Sequence, residues 1–544
     1  MAQRTPTRVG NPGSGFTVGE RGIDPVDVAI EHYPDGIYSL PSVSYLTTCL
    51  GYPAKPLSPP HQLFAQPPRD KFCEDYTIGA TQVGPSARPG YVCRNCPCNF
   101  MNALVNRHGA VAPVPIRQWN YAYGLMDELK RDRPWDTGAV DPLDRRQWML
   151  KWPLSKRLSI LESEKFDDVM PWRTKASLKR ESSNKPWTKA RMIQAYYNQA
   201  TQSEYGPWMY ALQKAVFDWF NAHAEVSGIR MTMASGQPPS VMADWMSRVH
   251  LRFGSRPYFR ERDGKNWDST MGKWAYDIFI DLCRSVDRGF AEYVEAGYAA
   301  MGFAFFKRGV FKYRLVGGTK SGFSQTTVFN SLINMLIAFE TLRFHGCPGE
   351  ILVAGDDLLV ATGVDPTGHA EYEAGFGIVP ESRVFRDYLD VTFISSCWIA
   401  GEFGFRFVPI LGRLLARLGV AVNPPPPKKH AVYWSSIVAG LTTVVGQLPL
   451  YTDFLRAAVS GSIPLGKDYN MWVAQYGGDP IDDHMYGELR RKYDFTVDEF
   501  EELRRYLASI PARPVLFKHH LVDRVLDKDL ADLLARPLAS AGAA

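Results

Sequence analysis

The chain has 544 residues, of which 45% are apolar, 13% aromatic and 22% charged; this is the make-up of a folded protein with room for several subdomains, not of a disordered one. A formal net charge of +5 is too small at this length to argue nucleic-acid binding by itself, so any such case rests on local charge. Eight cysteines do not make a disulfide framework for a chain this long, and they fit a reducing compartment.

Residues Met1 to Arg21 are polar and rich in Gly, Pro and Thr; they carry no secretory signal and are expected to be a mobile tail. Pro and Gly punctuate Leu40 to Pro68 and Gly84 to Gly90, which predicts an N-terminal part rich in loops. Within it Cys73, Cys93, Cys96 and Cys98 could hold a structural Zn²⁺. The irregular spacing, with Cys98 two residues beyond Cys96, favours free thiols instead. From Arg173 to Arg191 seven basic residues stand against one acid, Glu181. A solvated face usually mixes signs, so this run reads as a phosphate site, with Lys179, Lys189 and Arg191 able to neutralise a triphosphate. Helical patterns dominate the middle of the chain, as in Trp208 to Ala224.

Asp263 stands where a strand is expected to end, and Asp268, five residues on, falls in the turn into a helix. The string Gly317 to Asn330 reads as a glycine-rich loop opening a helix that runs to about Phe344. Thr326 and Asn330 are four apart and share a helical face. A capped helix start explains any one Ser, Thr or Gly of that string, but not all of them together. Ile351 to Val360 is two apolar runs around a Gly/Asp turn, the pattern of a tight β-hairpin with Asp356 and Asp357 at its tip. Gly-Asp-Asp by itself is common in surface turns. Adjacent carboxylates repel, however, and are tolerable mainly where a cation shares their charge. Asp263, facing them across a sheet, would complete a site for a hard cation such as Mg²⁺.

Further on, Asn423 to Lys429 with its four prolines breaks regular structure. The uncharged stretch Ala431 to Thr452 is long enough to span a bilayer, but Ser435, Ser436, Thr442, Thr443, Gln447 and Pro449 favour a buried helix; no transmembrane segment is expected. Thr496 with Glu499 forms a capping box and Phe495 with Phe500 a hydrophobic staple, so a helix should start at Val497.

These strings in this order resemble the right-hand RNA-dependent RNA polymerases of RNA viruses, and in motif B the picornavirus-like enzymes. Gly317, Gly318, Ser321, Gly322, Thr326, Asn330, Ser331 and Asn334 meet the motif B pattern. Motif A falls on Asp263 and Asp268, and motif C on Gly355, Asp356 and Asp357. Motif F falls on Lys179, Glu181, Lys189, Arg191 and Ile193, and Phe393 to Ser396 is the motif E candidate. Two places depart from the pattern. Arg260, Glu261 and Arg262 precede Asp263 where relatives usually have an apolar strand, and Arg383 takes the place of a motif D lysine. Arginine holds its proton tightly, so a phosphate contact suits Arg383 better than proton donation.

The resemblance implies an α/β fold (an α+β palm) in a closed right hand. Residues 1–110 would bridge fingers and thumb; 111–255 would be fingers, 256–275 palm, 276–315 a fingers/palm return, 316–400 palm, and 401–544 a mainly helical thumb. It implies RNA synthesis from NTPs on an RNA template by two-metal phosphoryl transfer. Asp263 and Asp356 would hold two Mg²⁺ ions with Asp357 assisting, and Mn²⁺ could substitute. Asp268, Ser321 and Asn330, supported by Gly322 and Thr326, would meet the ribose; Lys179, Lys189 and Arg191 would meet the triphosphate. Template and nascent RNA and other viral replication or capsid proteins would be partners, in the host cytoplasm within a replication complex or virion. A reverse transcriptase would show a bulky steric gate and an aromatic residue where this chain has Ala354. A non-catalytic RNA-binding palm would have lost a carboxylate, and none is lost.

Overall fold

The structure, a computed structural model, describes residues 60–67, 77–110, 112–137, 145–184, 190–222, 225–445, 447–457 and 482–534. At its centre lies a five-stranded sheet of β1 (Ile229–Met233), β2 (Tyr258–Gly264), β3 (Gly349–Ala354), β4 (Asp357–Thr362) and β5 (Pro380–Phe385), in the order β5-β2-β4-β3-β1. β3 and β4 form the expected hairpin, in register Ala354 to Asp357 across a two-residue turn. β2 runs antiparallel to β4 and β5, and β1 parallel to β3.

The unbroken apolar runs of the hairpin follow from burial on both faces. Ile351, Val353, Leu358 and Val360 point into the largest core, beside the helix α2 (Thr326–Phe344). Leu352, Leu359 and Ala361 point the other way, onto Met242 and Trp245 of the helix α1 (Pro239–Phe253) and onto Trp398. In α2 every residue from Val328 to Leu342 is buried, as expected of a helix enclosed on all sides.

The sheet reaches further back along the chain than expected. β1 and α1 lie within residues 111–255, assigned above to the fingers, yet β1 is an edge strand of the central sheet and α1 packs on its face. Ile-Arg-Met-Thr-Met does alternate apolar and polar residues, but the run is only five residues long and its partner is remote in sequence, so the local pattern does not say which sheet it joins.

A second sheet runs in the order Gln62–Ala65, Gly309–Arg314, Met301–Phe306, Arg173–Leu178, Met192–Tyr196. The segment after residue 76 pairs in several directions. Thr81–Gln82 pairs with Val420–Ala421, Pro85–Ser86 with Val515–Leu516, and Tyr91–Cys93 with Ser182–Ser183. It therefore ties the region before the central sheet to the helices after it. Those helices enclose a core of their own. One of them, Val497–Ala508, begins with the expected capping box of Thr496 and Glu499. The uncharged stretch forms a helix, His430–Val445, that buries only part of its surface, including Trp434 and Val438. Among the described residues no helix is long and apolar enough to cross a membrane.

Candidate active site

The turn between β3 and β4 is built from below by α2. Gly355 has φ +67° and opens a two-residue turn, where a positive φ at the first position favours glycine. Its N–H donates to Ser331 Oγ at 2.8 Å, and Asn334 Nδ2 donates to the carbonyls of Gly355 at 3.0 Å and Asp357 at 3.4 Å. Asp356 thus stands at the tip and Asp357 at the root of β4. Because Arg262 of β2 sits opposite Leu358, the next residue, Asp263, comes up beside the turn.

The three acids feel one another. Asp263 is raised above the ordinary carboxylate range by partial desolvation, then by Asp356 and Glu381. Asp357 is pushed up to about 7 by desolvation, then by Asp356 and Asp263. Both side chains remain accessible to solvent, so the desolvation is that of a recess open to water. The acids share this recess without closing into one cluster: their carboxylate oxygens do not all lie within 4.8 Å of one another. An all-oxygen donor set whose negative charge is only partly offset by nearby arginines suits a hard divalent cation.

Beside this recess lies a hydrogen-bonded trio. Asp268, on the short helix Trp267–Thr270, accepts from Asn330 Nδ2 at 3.2 Å, and Asn330 Oδ1 accepts from Thr319 Oγ at 2.9 Å. The Thr319 N–H returns to the Asp268 carbonyl at 2.7 Å. Gly317 and Gly318, at φ +71° and +69°, let the loop double back to make this contact. Asp268 is pushed up to about 6 by burial, then by Asp356, with Asn330, Arg107 and Arg191 opposing.

The other expected ribose ligands are placed differently. Ser321 Oγ donates to the Met192 carbonyl at 3.3 Å, and Thr326 Oγ to the carbonyls of Lys320 and Phe323 at 2.8 and 2.9 Å. Gly322 is a packing position: its N–H meets the Gln194 carbonyl, and a Cβ there would come within 2.9 Å of Ala195 Cα. Lys179 and Arg191 flank Glu181 at 2.5 and 3.5 Å, while Lys189 lies outside the described residues. Arg383 pairs with Glu261 at 3.0 Å and keeps 55% of its side chain exposed.

Three residues escape sequence reasoning. Thr319 occupies an unspecified position of motif B. Lys320 is buried, with its ammonium donating to the carbonyls of Tyr298, Gly317 and Gly318 at 3.0, 2.6 and 3.1 Å, so it pins the doubled loop. Arg107 lies on a π-turn, Leu104–His108, a rare element often found at functional sites. Its charge counters the raised carboxyls of Asp263 and Asp268.

Of the candidate zinc thiols, Cys73 lies outside the described residues, and Cys93, Cys96 and Cys98 are buried. The one group of three ligand-type side chains found within 4.8 Å among the described residues is Glu502, His519 and His520. There His519 Nδ1 accepts from the Leu521 N–H, so Nε2, which faces Glu502 at 3.3 Å, carries the proton and has no lone pair for a metal.

A family model for viral RNA-dependent RNA polymerase matches residues 207–406. Those residues belong to that family. The polymerase is RNA-directed, a nucleotidyltransferase of viral RNA synthesis, and members of its family use divalent cations. The matched stretch contains all five strands of the central sheet, both acidic segments and the whole of α2. Arg107 and the basic run Arg173 to Arg191 precede it. No curated protein matches the chain.

Proposed function

We propose that the chain replicates and transcribes a viral RNA genome by two-metal phosphoryl transfer at Asp263, Asp356 and Asp357. The observation that carries this reading is the convergence of carboxylates from the end of β2 and the β3–β4 turn, with the Asp268–Asn330 pair alongside. Asp263 and Asp356 would hold two Mg²⁺ ions, with Asp357 assisting. When bound, the ions activate the primer 3′-hydroxyl and neutralise the leaving pyrophosphate. A structural zinc at Cys73, Cys93, Cys96 and Cys98 remains the less favoured alternative, because their spacing is irregular.

The chain's own groups do the positioning. Thr319 orients the Asn330 amide, so Asn330 and Asp268 offer a donor and an acceptor to the ribose 2′-hydroxyl. Such a site rejects a sugar lacking that group, because its polar atoms are then left unpaired. Lys179, Lys189 and Arg191, joined by Arg107, grip the triphosphate, and Arg383 meets a phosphate with the side-chain surface that Glu261 leaves open. The central sheet is the palm, with β1 and α1 included; the second sheet belongs to the fingers and the C-terminal helices form the thumb. The pairings of residues 81–86 with both C-terminal strands support the N-terminal bridge. RNA and other viral proteins are the partners, in a cytoplasmic replication complex or virion.

Extension of an RNA primer on an RNA template, with NTPs or dNTPs and with or without Mg²⁺, tests the reading. Product that needs NTPs and Mg²⁺ is expected; product from dNTPs would indicate a reverse transcriptase. Asn330→Ala should lower NTP-over-dNTP discrimination about 5- to 100-fold, the cost of leaving one buried polar group unpaired. An unchanged ratio of incorporation efficiencies would remove Asn330 from that role. Arg107→Ala should raise KM for NTP about tenfold, from one lost charge-assisted phosphate contact, with the melting temperature little changed. An unaltered KM would reduce Arg107 to a counter-charge.

A further inference from the structure

β2 is a buried strand in spite of Arg260, Glu261 and Arg262. Glu373, on the helix α3 (His369–Ala374), lies between the two guanidiniums. Arg260 donates to both of its oxygens, one of them at 3.1 Å, and Arg262 Nε stands 3.2 Å from Oε2. Arg262 also stacks over Trp267, 5.1 Å from the ring centroid, and donates to Oδ1 of Asn334.

We infer that Arg262 is a positioning residue that sets the spacing of Asp263 from Asp356. The inference rests on the function proposed above. A guanidinium carries donors only, so the Asn334 atom it meets must be the oxygen, and the amide nitrogen is left facing the other way. That nitrogen bonds the carbonyls of Gly355 and Asp357, the residues on either side of Asp356. One guanidinium, on the residue next to Asp263, therefore dictates the amide orientation that holds the turn carrying Asp356. Glu373 immobilises it. A flipped Asn334 would set its oxygen against two carbonyl oxygens and release the turn. An apolar side chain would fill this space with less desolvation, but only a donor can select the amide orientation.

Arg262→Met retains the stem and the volume and removes the donor. Asn334→Asp keeps an acceptor for Arg262 and turns an oxygen toward the two carbonyls. Mn²⁺ binding to the RNA-free protein, followed by the paramagnetic resonance of free Mn²⁺, reports on the acids directly. Both variants should bind Mn²⁺ about tenfold more weakly per folded molecule, as when the groups orienting metal ligands are removed. Their kcat at fixed Mg²⁺ should fall while KM for NTP stays near wild type, and Arg262→Lys, which restores a donor, should recover most of the Mn²⁺ affinity. If both variants melt earlier yet bind Mn²⁺ like the wild type, Arg262 is a core residue only and the inference is overturned. If the wild type itself neither binds Mn²⁺ nor extends a primer, the functional reading fails, and this inference with it.

Discussion

Asp356→Ala is expected to leave a folded protein that makes essentially no RNA. Losing a ligand to cations that contribute several kcal/mol to the transition state lowers the rate about a thousandfold or more. The fold has little to lose, because the turn is held by backbone contacts to Ser331 and Asn334 and not by the Asp356 carboxylate. Removing that charge also relieves Asp357, which Asp356 helps to raise. Without metal the variant should therefore melt close to the wild type, the relief of Asp357 being set against a lost counter-charge to Arg262, while added Mg²⁺ should stabilise it less. Asp263→Ala should behave alike, since it removes the facing ligand from β2. Extension assays beside thermal melting, with and without Mg²⁺, separate the two effects. Substantial polymerisation by either purified variant would rule out these acids as the metal ligands.

Glu373→Ala is expected to be the most destabilising single change near the central sheet. It leaves Arg260 and Arg262 buried without their carboxylate, and breaking a buried ion pair from one side costs about 3–5 kcal/mol. Burial alone would raise the Glu373 carboxyl, but Arg260 and Arg262 outweigh it and hold the group below its ordinary value. The folded value is depressed, so its contribution is full above the unfolded carboxylate range and is lost as pH falls through the folded value. The partner shows the strain of sharing: burial pulls Arg262 down to about 10, with Glu373, Asp263 and Asp356 opposing. One carboxylate serves two guanidiniums, and the recess acids supply the remaining negative charge. Denaturant titration of wild type and Glu373→Ala at neutral pH checks the magnitude. A difference under about 1 kcal/mol, the scale of an exposed pair, would show that water reaches the cluster.

Much of the site is legible along the chain because its signals are local. The hairpin needs only two apolar runs and a Gly/Asp turn. The helix after Gly322 follows from a glycine-rich start and a long apolar run, and the helix at Val497 from a capping box four residues long. Each is decided by neighbours within a few positions, so sequence alone determined which acids come to the turn and in what order. What it could not determine depends on partners far away in the chain. β1 joins the sheet only by pairing with β3, and Arg107 reaches the acids only because a π-turn brings it there. Arg260 and Arg262 look wrong for a buried strand until Glu373 and Asn334 arrive beside them. Thr319 and Lys320 acquire their roles only when Gly317 and Gly318 fold the loop back on itself. Turns and periodicities are written in adjacent residues; compensation of buried charge belongs to the packed state, and only tertiary structure decides it.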